Sequence, residues 1–234
     1  MSNILEIVNA QSFYGSAHIL HGLYLHVEEG ERVGLIGRNG VGKTTVVNTI
    51  LGLAALRAGV VKMNDKPYRK LRPYVAAQNN VAIVPQGRWI IPNLTVEENL
   101  QLGAAAGRVG HWTLKRVYDL FPILNERACT PGTALSGGQQ QMLVVGRALM
   151  GNPSLILLDE PTEGLAPVII DQLAGVFNAV AEQGTALLLI EQNMSLVVRV
   201  AERYLAMSKG AIIAEGAVEN TADGLQDLEC HVMV

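Results

Sequence analysis

The chain has 234 residues, 49% of them hydrophobic, and a formal net charge of −3. That length buries a substantial core as one large domain or one domain carrying a subdomain. The slight acidity leaves no basic footprint for duplex nucleic acid and no polybasic tail for anionic lipid. No apolar run approaches the roughly 18 to 20 residues of a membrane span, and the start Met1 to Glu6 lacks the basic and apolar regions of a signal peptide. The expectation is a soluble intracellular protein in which Cys129 and Cys230, which show no metal-ligand spacing, are free thiols.

In chain order, Ile4 to Val8 and Leu20 to Val27 read as strands, the second alternating Leu23, Leu25 and Val27 against Tyr24, His26 and Glu28. Tyr14, next to Gly15 between them, either stacks on a base or packs at a strand end. Arg32 to Ile36 has the length and β-branching of a buried strand. Gly37 to Thr45 follows with the spacing Gly37, four residues, Gly42-Lys43-Thr44, and Val46 to Leu51 continues it as a helix. Strand, glycine loop and helix form a phosphate-binding loop. The glycines let backbone N–H groups converge on phosphate oxygens at the positive end of the helix. Lys43 adds a cation for the terminal phosphates and Thr44 a hydroxyl for Mg²⁺.

Val60 to Met63, before the turn Asn64-Asp65, suggests an edge strand, and the basic run Arg69, Lys70 and Arg72 reads as a solvated face. Val81 to Val84 is a further buried strand ending on Pro85-Gln86-Gly87. Gln86 stands at the strand end where open α/β sheets bind ligands; it either reaches a phosphate-bound metal or is a turn residue. Trp89-Ile90-Ile91 is expected in a loop, as a local staple or a partner patch. Thr95 with Glu98 has the capping-box form, so a helix starts there and runs toward Ala105. Another covers Thr113 to Leu120, after which Phe121 to Ala134 loses its period. The stretch from about 88 to 150 therefore reads as an inserted helical subdomain within one domain spanning 1–234.

Leu135-Ser136-Gly137-Gly138-Gln139 opens the helix Gln140 to Leu149, either as a simple N-cap or as a second anion-binding helix start. The buried strand Leu155 to Leu158 ends on Asp159-Glu160, two carboxylates that need compensation at the end of a core strand. A Mg-nucleotide supplies it. Adjacent residues of an extended strand point to opposite sides, which assigns one carboxylate to the metal and the other to an attacking water, hence hydrolysis. A helix over Val168 to Ala181 and a strand over Ala186 to Ile190 follow, the latter finishing on Glu191-Gln192-Asn193. Arg203 to Met207 and Ala211 to Ala214 form a hairpin around Lys209-Gly210. Thr221 to Val234 carries no readable chemistry.

The loop Gly37 to Thr45, the signature Leu135 to Gln139 and the Leu155 to Glu160 stretch occur in an order that resembles the ATP-binding subunits of ABC transporters over nearly the whole chain, with Pro161 to Ala166 similar to their D-loop. The resemblance implies an α/β P-loop NTPase core with a parallel sheet, an N-terminal antiparallel β subdomain and the inserted helical subdomain. It implies two cassettes paired head to tail, as a heterodimer with a second ATPase subunit or as a homodimer. Each ATP is then held between one chain's loop (Gly37, Asn39, Gly40, Gly42, Lys43, Thr44 and Thr45) and the other's Ser136, Gly137, Gly138 and Gln139. It further implies Tyr14 on adenine, Thr44, Gln86 and Asp159 on Mg²⁺, Glu160 as general base and Gln192 where most members carry a γ-phosphate-sensing histidine. His18, His21, His26, His111 and His231 do not fill that place.

The phrases Val84 to Arg88, Leu94 to Leu100, Asp159 to Pro167 and Ile190 to Asn193 look like the second ATPase subunit of branched-chain amino acid importers, with urea and short-amide importers as close relatives. Such a subunit docks beneath two transmembrane permease subunits, on the cytoplasmic face of the inner membrane, and is served indirectly by a periplasmic binding protein. No nucleic-acid partner is expected. The alternatives are a soluble ABC ATPase of a non-transport class and an ATP-binding scaffold without turnover.

Overall fold

The computed structural model describes residues 2–219 and 221; Cys230, His231 and the rest of 222–234 lie outside the described residues. Strands β1 (Asn3–Tyr14) and β2 (Ala17–Glu28) form a hairpin. After β3 (Arg32–Ile36) and helix α1 (Lys43–Ile50) come β4 (Ala55–Met63), β5 (Lys66–Tyr68), α2 (Pro73–Gln78) and β6 (Val81–Val84). Helices α3 (Val96–Gly103), α4 (Leu114–Leu120), α5 (Pro122–Glu126) and α6 (Gly137–Leu149) follow, then β7 (Leu155–Asp159), α7 (Pro167–Glu182), β8 (Ala186–Glu191), α8 (Met194–Val200), β9 (Arg203–Ser208) and β10 (Ala211–Ala217).

Two sheets result. One is antiparallel, in the order β2-β1-β4-β5; the other has six strands in the order β10-β9-β3-β8-β7-β6. In the second, β9, β3, β8, β7 and β6 run parallel and only β10 is antiparallel, to β9. This is the α/β core with an N-terminal antiparallel β layer that the resemblance implied. The strand at Val60 to Met63 is not an edge, however: β4 begins at Ala55 and lies between β1 and β5, so the edge falls to the short β5.

Alternation along the parallel strands builds two cores. Leu155 and Leu157 of β7, Leu188 and Ile190 of β8 and Leu205 of β9 face α1 and the antiparallel sheet. Ile156, Leu158, Leu187, Leu189 and Ala206 face the helical side, where Phe177 of α7 is 1% exposed. Each such buried large side chain contributes roughly 1.5–3 kcal/mol. Because β6 and β7 are neighbours in the sheet, everything from Pro85 to Ser154 is an excursion between adjacent parallel strands, and α3 to α6 occupy it. Thr95 and Glu98 form the expected reciprocal cap of α3.

Three helices go beyond the sequence reading. Helix α2 begins with Pro73 in its first turn after the exposed Arg69, Lys70 and Arg72, α5 begins with Pro122 in its first turn, and α8 is capped by Asn193. At six and five residues α2 and α5 are too short for an apolar period to emerge, and α8 is apolar at five of its seven positions, which leaves no period to read. Among the described residues no helix is long and apolar enough to cross a membrane.

Candidate nucleotide site

The carboxyl ends of β3, β6, β7 and β8 lie along one edge of the parallel sheet, where doubly wound sheets place their ligands. From β3 the chain enters the glycine loop. A Cβ at Gly37 would stand 2.5 Å from the carbonyl oxygen of Met207, and Gly42, the N-cap of α1, has φ 110°, a conformation that side chains resist. No side chain caps α1. Its first N–H groups therefore retain the unsatisfied donors and positive dipole that suit an anion. Thr44 and Thr45 of its first turn, with Asn39, Gly40, Gly42, Lys43, Gln86, Glu160 and Ile19, line a cleft of about 330 Å³.

Lys43 is 4% exposed. Its ammonium donates to the carbonyls of Gly37 at 2.8 Å and Arg38 at 3.1 Å and lies 3.5 Å from Glu160 Oε1. Burial holds the lysine below its ordinary pKa, against the opposing pull of Glu160 and Asp159. The Thr44 hydroxyl donates to Asp159 Oδ1 at 3.4 Å. Asp159, 3% exposed, has its carboxyl pushed up to about 6 by burial and by the Glu160 charge, with the Thr44 hydrogen bond and Lys43 opposing.

Glu160 reaches the site by a route the sequence reading misjudged. The strand ends at Asp159, and Glu160 takes φ 46°, so strand alternation does not separate the two carboxylates. The left-handed turn instead brings Glu160 back to Lys43, the same cation that pulls on Asp159. Glu160 Oε2 accepts from Gln86 Nε2 at 3.2 Å, and Oε1 accepts from Gln192 Nε2 at 3.1 Å. A non-glycine residue in this conformation costs of order 1–3 kcal/mol and recurs at functional sites. Gln192 Nε2 also donates to Asn39 Oδ1 at 2.5 Å, and Gln86 Nε2 to Glu163 Oε2 at 3.0 Å.

Lys43, Thr44, Gln86, Asp159, Glu160 and Gln192 thus form one connected cluster. Tyr14 stands apart at the end of β1, 42% exposed, its hydroxyl accepting from Asn48 Nδ2 of α1 at 2.6 Å. Ser136 to Gln139 do not line the cleft. The Ser136 hydroxyl accepts from the Gln139 backbone N–H while the Gln139 side chain accepts from the Ser136 N–H, so this segment is a capping box that starts α6 at Gly137, three residues before the expected position. None of the four described histidines lines the cleft; His18 stacks on Phe13 at 4.2 Å.

Ile19, Thr162, Glu163 and Glu191 contribute without having been singled out. Ile19 carries no chemical signal in a sequence, whereas the carboxylate of Glu191, in a strand otherwise apolar, did.

A mixed sheet with a glycine loop at its carboxyl edge, a lysine and threonine in the loop helix and two carboxylates opposite defines a P-loop nucleotide hydrolase. The family model described as ABC transporter matches residues 20–163, and the chain belongs to that family. It is an ABC ATPase, a transporter ATP-binding protein that hydrolyses ATP.

It is 36% identical to the high-affinity branched-chain amino acid transport ATP-binding protein BraG of Pseudomonas aeruginosa over 212 residues, 90% of this chain and 91% of that one. Identity to the Nod factor export ATP-binding protein I of Paraburkholderia xenovorans is 34%, over 91% of this chain and 70% of that protein. Among solved structures, the ADP conformation of MJ1267, an ATP-binding cassette of an ABC transporter, superposes with a TM-score of 0.80 at 25% identity, covering 97% of this chain and 94% of that one.

Proposed function

We propose that this chain is the ATP-hydrolysing motor subunit of an importer for branched-chain amino acids, acting at composite sites formed by a pair of cassettes. The observation that carries the reading is the single cluster of Lys43, Thr44, Gln86, Asp159, Glu160 and Gln192 beside the uncapped start of α1. The loop amides and Lys43 hold the phosphates, and Tyr14 stacks on adenine. Glu160 takes a proton from the attacking water, and Gln192 hydrogen-bonds the γ-phosphate. Ser136 to Gln139 stand outside their own chain's cleft, which supports their closing on the ATP of a second cassette, whether a different subunit or another copy.

The donors offered by Thr44, Gln86 and Asp159 are all oxygens, and Asp159 is a buried carboxylate short of positive charge. This set fits a hard divalent cation. Mg²⁺ bound there would offset charge on the β- and γ-phosphates.

The membrane partners are two permease subunits, and the chain works as a peripheral protein on the cytoplasmic face of the membrane. A largely apolar groove of about 480 Å³ beside the Gln86 loop, lined in part by Ala76, Ala77, Ile83, Ile91 and Leu102, supports this, as does Trp89 at 68% exposure on that loop. The cargo assignment rests on the likeness to BraG and on the phrases around Gln86, Glu160 and Gln192.

Mild-detergent purification of the tagged chain from native membranes tests the assembly. Recovery of a second cassette, or a second copy, with multispan membrane proteins is expected; recovery alone, or with ribosomes or nucleic acid, contradicts it. Uptake of labelled leucine or isoleucine should depend on the chain. Dependence of urea or short-amide uptake instead would overturn the cargo.

A further inference from the structure

Glu191, the last residue of β8, is 3% exposed, and its carboxylate accepts four hydrogen bonds. Oε1 accepts from the backbone N–H of Thr162 at 3.1 Å and from the Thr162 hydroxyl. Oε2 accepts from the backbone N–H groups of Gln192 at 3.0 Å and Asn193 at 3.1 Å. A buried carboxylate is costly unless its oxygens are satisfied, and here every bond goes to one of two segments. The first, Glu160 to Gly164, begins with the residue opposite Lys43. The second, Gln192-Asn193, carries the amide that donates to Glu160 Oε1. Glu160 is tied to the same strand end through its own N–H, which donates to the carbonyl of Ile190 at 2.9 Å. Glu160, Thr162, Glu191, Gln192 and Asn193 are among the residues lining a second cleft of about 300 Å³, which shares Asn39 and Glu160 with the first.

We infer that Glu191 is a positioning residue for ATP hydrolysis, joining the segment after Glu160 to the segment carrying Gln192 so that both arrive at the γ-phosphate together. This rests on the roles proposed above for Glu160 and Gln192. Glu191 makes no hydrogen bond to Lys43 or to the glycine loop and acts on Lys43 only as a charge, weaker than those of Glu160 and Asp159; its hydrogen bonds all run to the Thr162 and Gln192-Asn193 segments. Its loss should therefore lower turnover and leave ATP affinity in place. Replacement by glutamine is nearly isosteric, yet an amide presents an N–H₂ where a carboxylate oxygen accepted, so either the Thr162 pair or the Gln192-Asn193 pair meets donor against donor. Thr162→Val keeps the shape of Thr162 and removes only the hydroxyl donor.

The test is steady-state ATPase of the full chain, in the assembly in which the wild type turns over, for Glu191→Gln, Thr162→Val, Glu191→Asp, Gln192→Ala and the doubles with Gln192→Ala, with thermal melting recorded for each. Glu191→Gln should lower kcat by about tenfold to a hundredfold, the scale of a small misplacement of reacting groups. KM for ATP should stay within twofold, while the unpaired buried donors lower melting by several degrees without unfolding the chain at the assay temperature. Thr162→Val should fall in the same direction, Glu191→Asp should recover part of the loss, and the doubles with Gln192→Ala should lose less than the product of the single losses. Unchanged kcat in Glu191→Gln, a parallel rise in KM, or fully multiplicative losses would overturn the inference. If Glu191→Gln does not fold, Thr162→Val decides by the same criteria. Glu160→Gln run alongside separates two failures: if it keeps wild-type turnover the site assignment has failed, whereas if it loses turnover while Glu191→Gln does not, only the positioning role has failed.

Discussion

Gln192 Nε2 donates to Glu160 Oε1 at 3.1 Å and to Asn39 Oδ1 at 2.5 Å, so one amide links the end of β8 to the acidic residue after β7 and to the glycine loop. A neutral amide makes these bonds without the charge an imidazolium would carry. We predict that Gln192→His leaves kcat unchanged or raises it, because the imidazole offers a donor at similar reach and, when protonated, a positive charge toward the γ-phosphate. Steady-state ATPase checks this. A large loss would show that the amide geometry itself is required.

Lys43 spends its donors on the carbonyls of Gly37 and Arg38, near Glu160. Phosphate oxygens offer stronger, charge-assisted partners. Lys43→Ala should weaken binding of ATP and of ADP at least tenfold, about 1.4 kcal/mol or more, as read by titration calorimetry or a fluorescent nucleotide. Wild-type affinity would remove Lys43 from the phosphate site.

At the opposite edge of the sheet, Arg203 Nε and Nη2 donate to Glu31 Oε1 at 2.7 Å and Oε2 at 3.2 Å, and Nη2 also donates to the carbonyl of His26 at 2.9 Å. Burial pushes the Glu31 carboxyl up, but the Arg203 guanidinium and the Glu28 N–H outweigh it and hold the carboxyl below its ordinary value. The folded state therefore binds fewer protons on Glu31 than the unfolded chain does. Its contribution is complete above about pH 4.5 and is lost as pH falls through the lowered folded value. Glu31→Gln should cost roughly 1–3 kcal/mol at pH 7, and that cost should shrink below pH 4.5. Denaturant melts at pH 7, 5 and 4 measure it; a difference that stays constant down to pH 4 contradicts the pairing.

Gly37 is fixed by close approach, because an added Cβ would stand 2.5 Å from the Met207 carbonyl oxygen of β9. That oxygen belongs to the backbone of β9, which is paired on both sides, with β10 and β3, and has little room to yield. Gly37→Ala should lower both stability, by roughly 1–3 kcal/mol, and nucleotide affinity. An alanine variant with wild-type melting would show that the loop relaxes freely.

The glycine loop, both carboxylates and the capping box at Thr95 were legible because each is a short pattern with one local physical meaning, whereas Ser136 offered two, an N-cap or an anion-binding helix start, and its reciprocal bond with Gln139 emerged only in the structure. Strand alternation at Asp159 and Glu160 misled, since φ 46° at Glu160 depends on the close of the strand and on the bond from its N–H to Ile190, which lies on another strand. The work done by Glu191 was hidden for a similar reason: its partner Thr162 is 29 residues away and is brought near only by the pairing of β7 with β8. Helix α8 escaped because Met194, Leu196, Val197, Val198 and Val200 make a nearly continuous apolar run with no helical period to read.

The central claim is that Glu160 activates water at a site whose binding contacts lie elsewhere, and paired measurements of ATP binding and single-turnover hydrolysis on Glu160→Gln test it most directly. The prediction is ATP affinity within a few-fold of wild type and hydrolysis slower by at least a hundredfold, within the range expected for loss of a general base. Wild-type hydrolysis by Glu160→Gln would contradict the assignment.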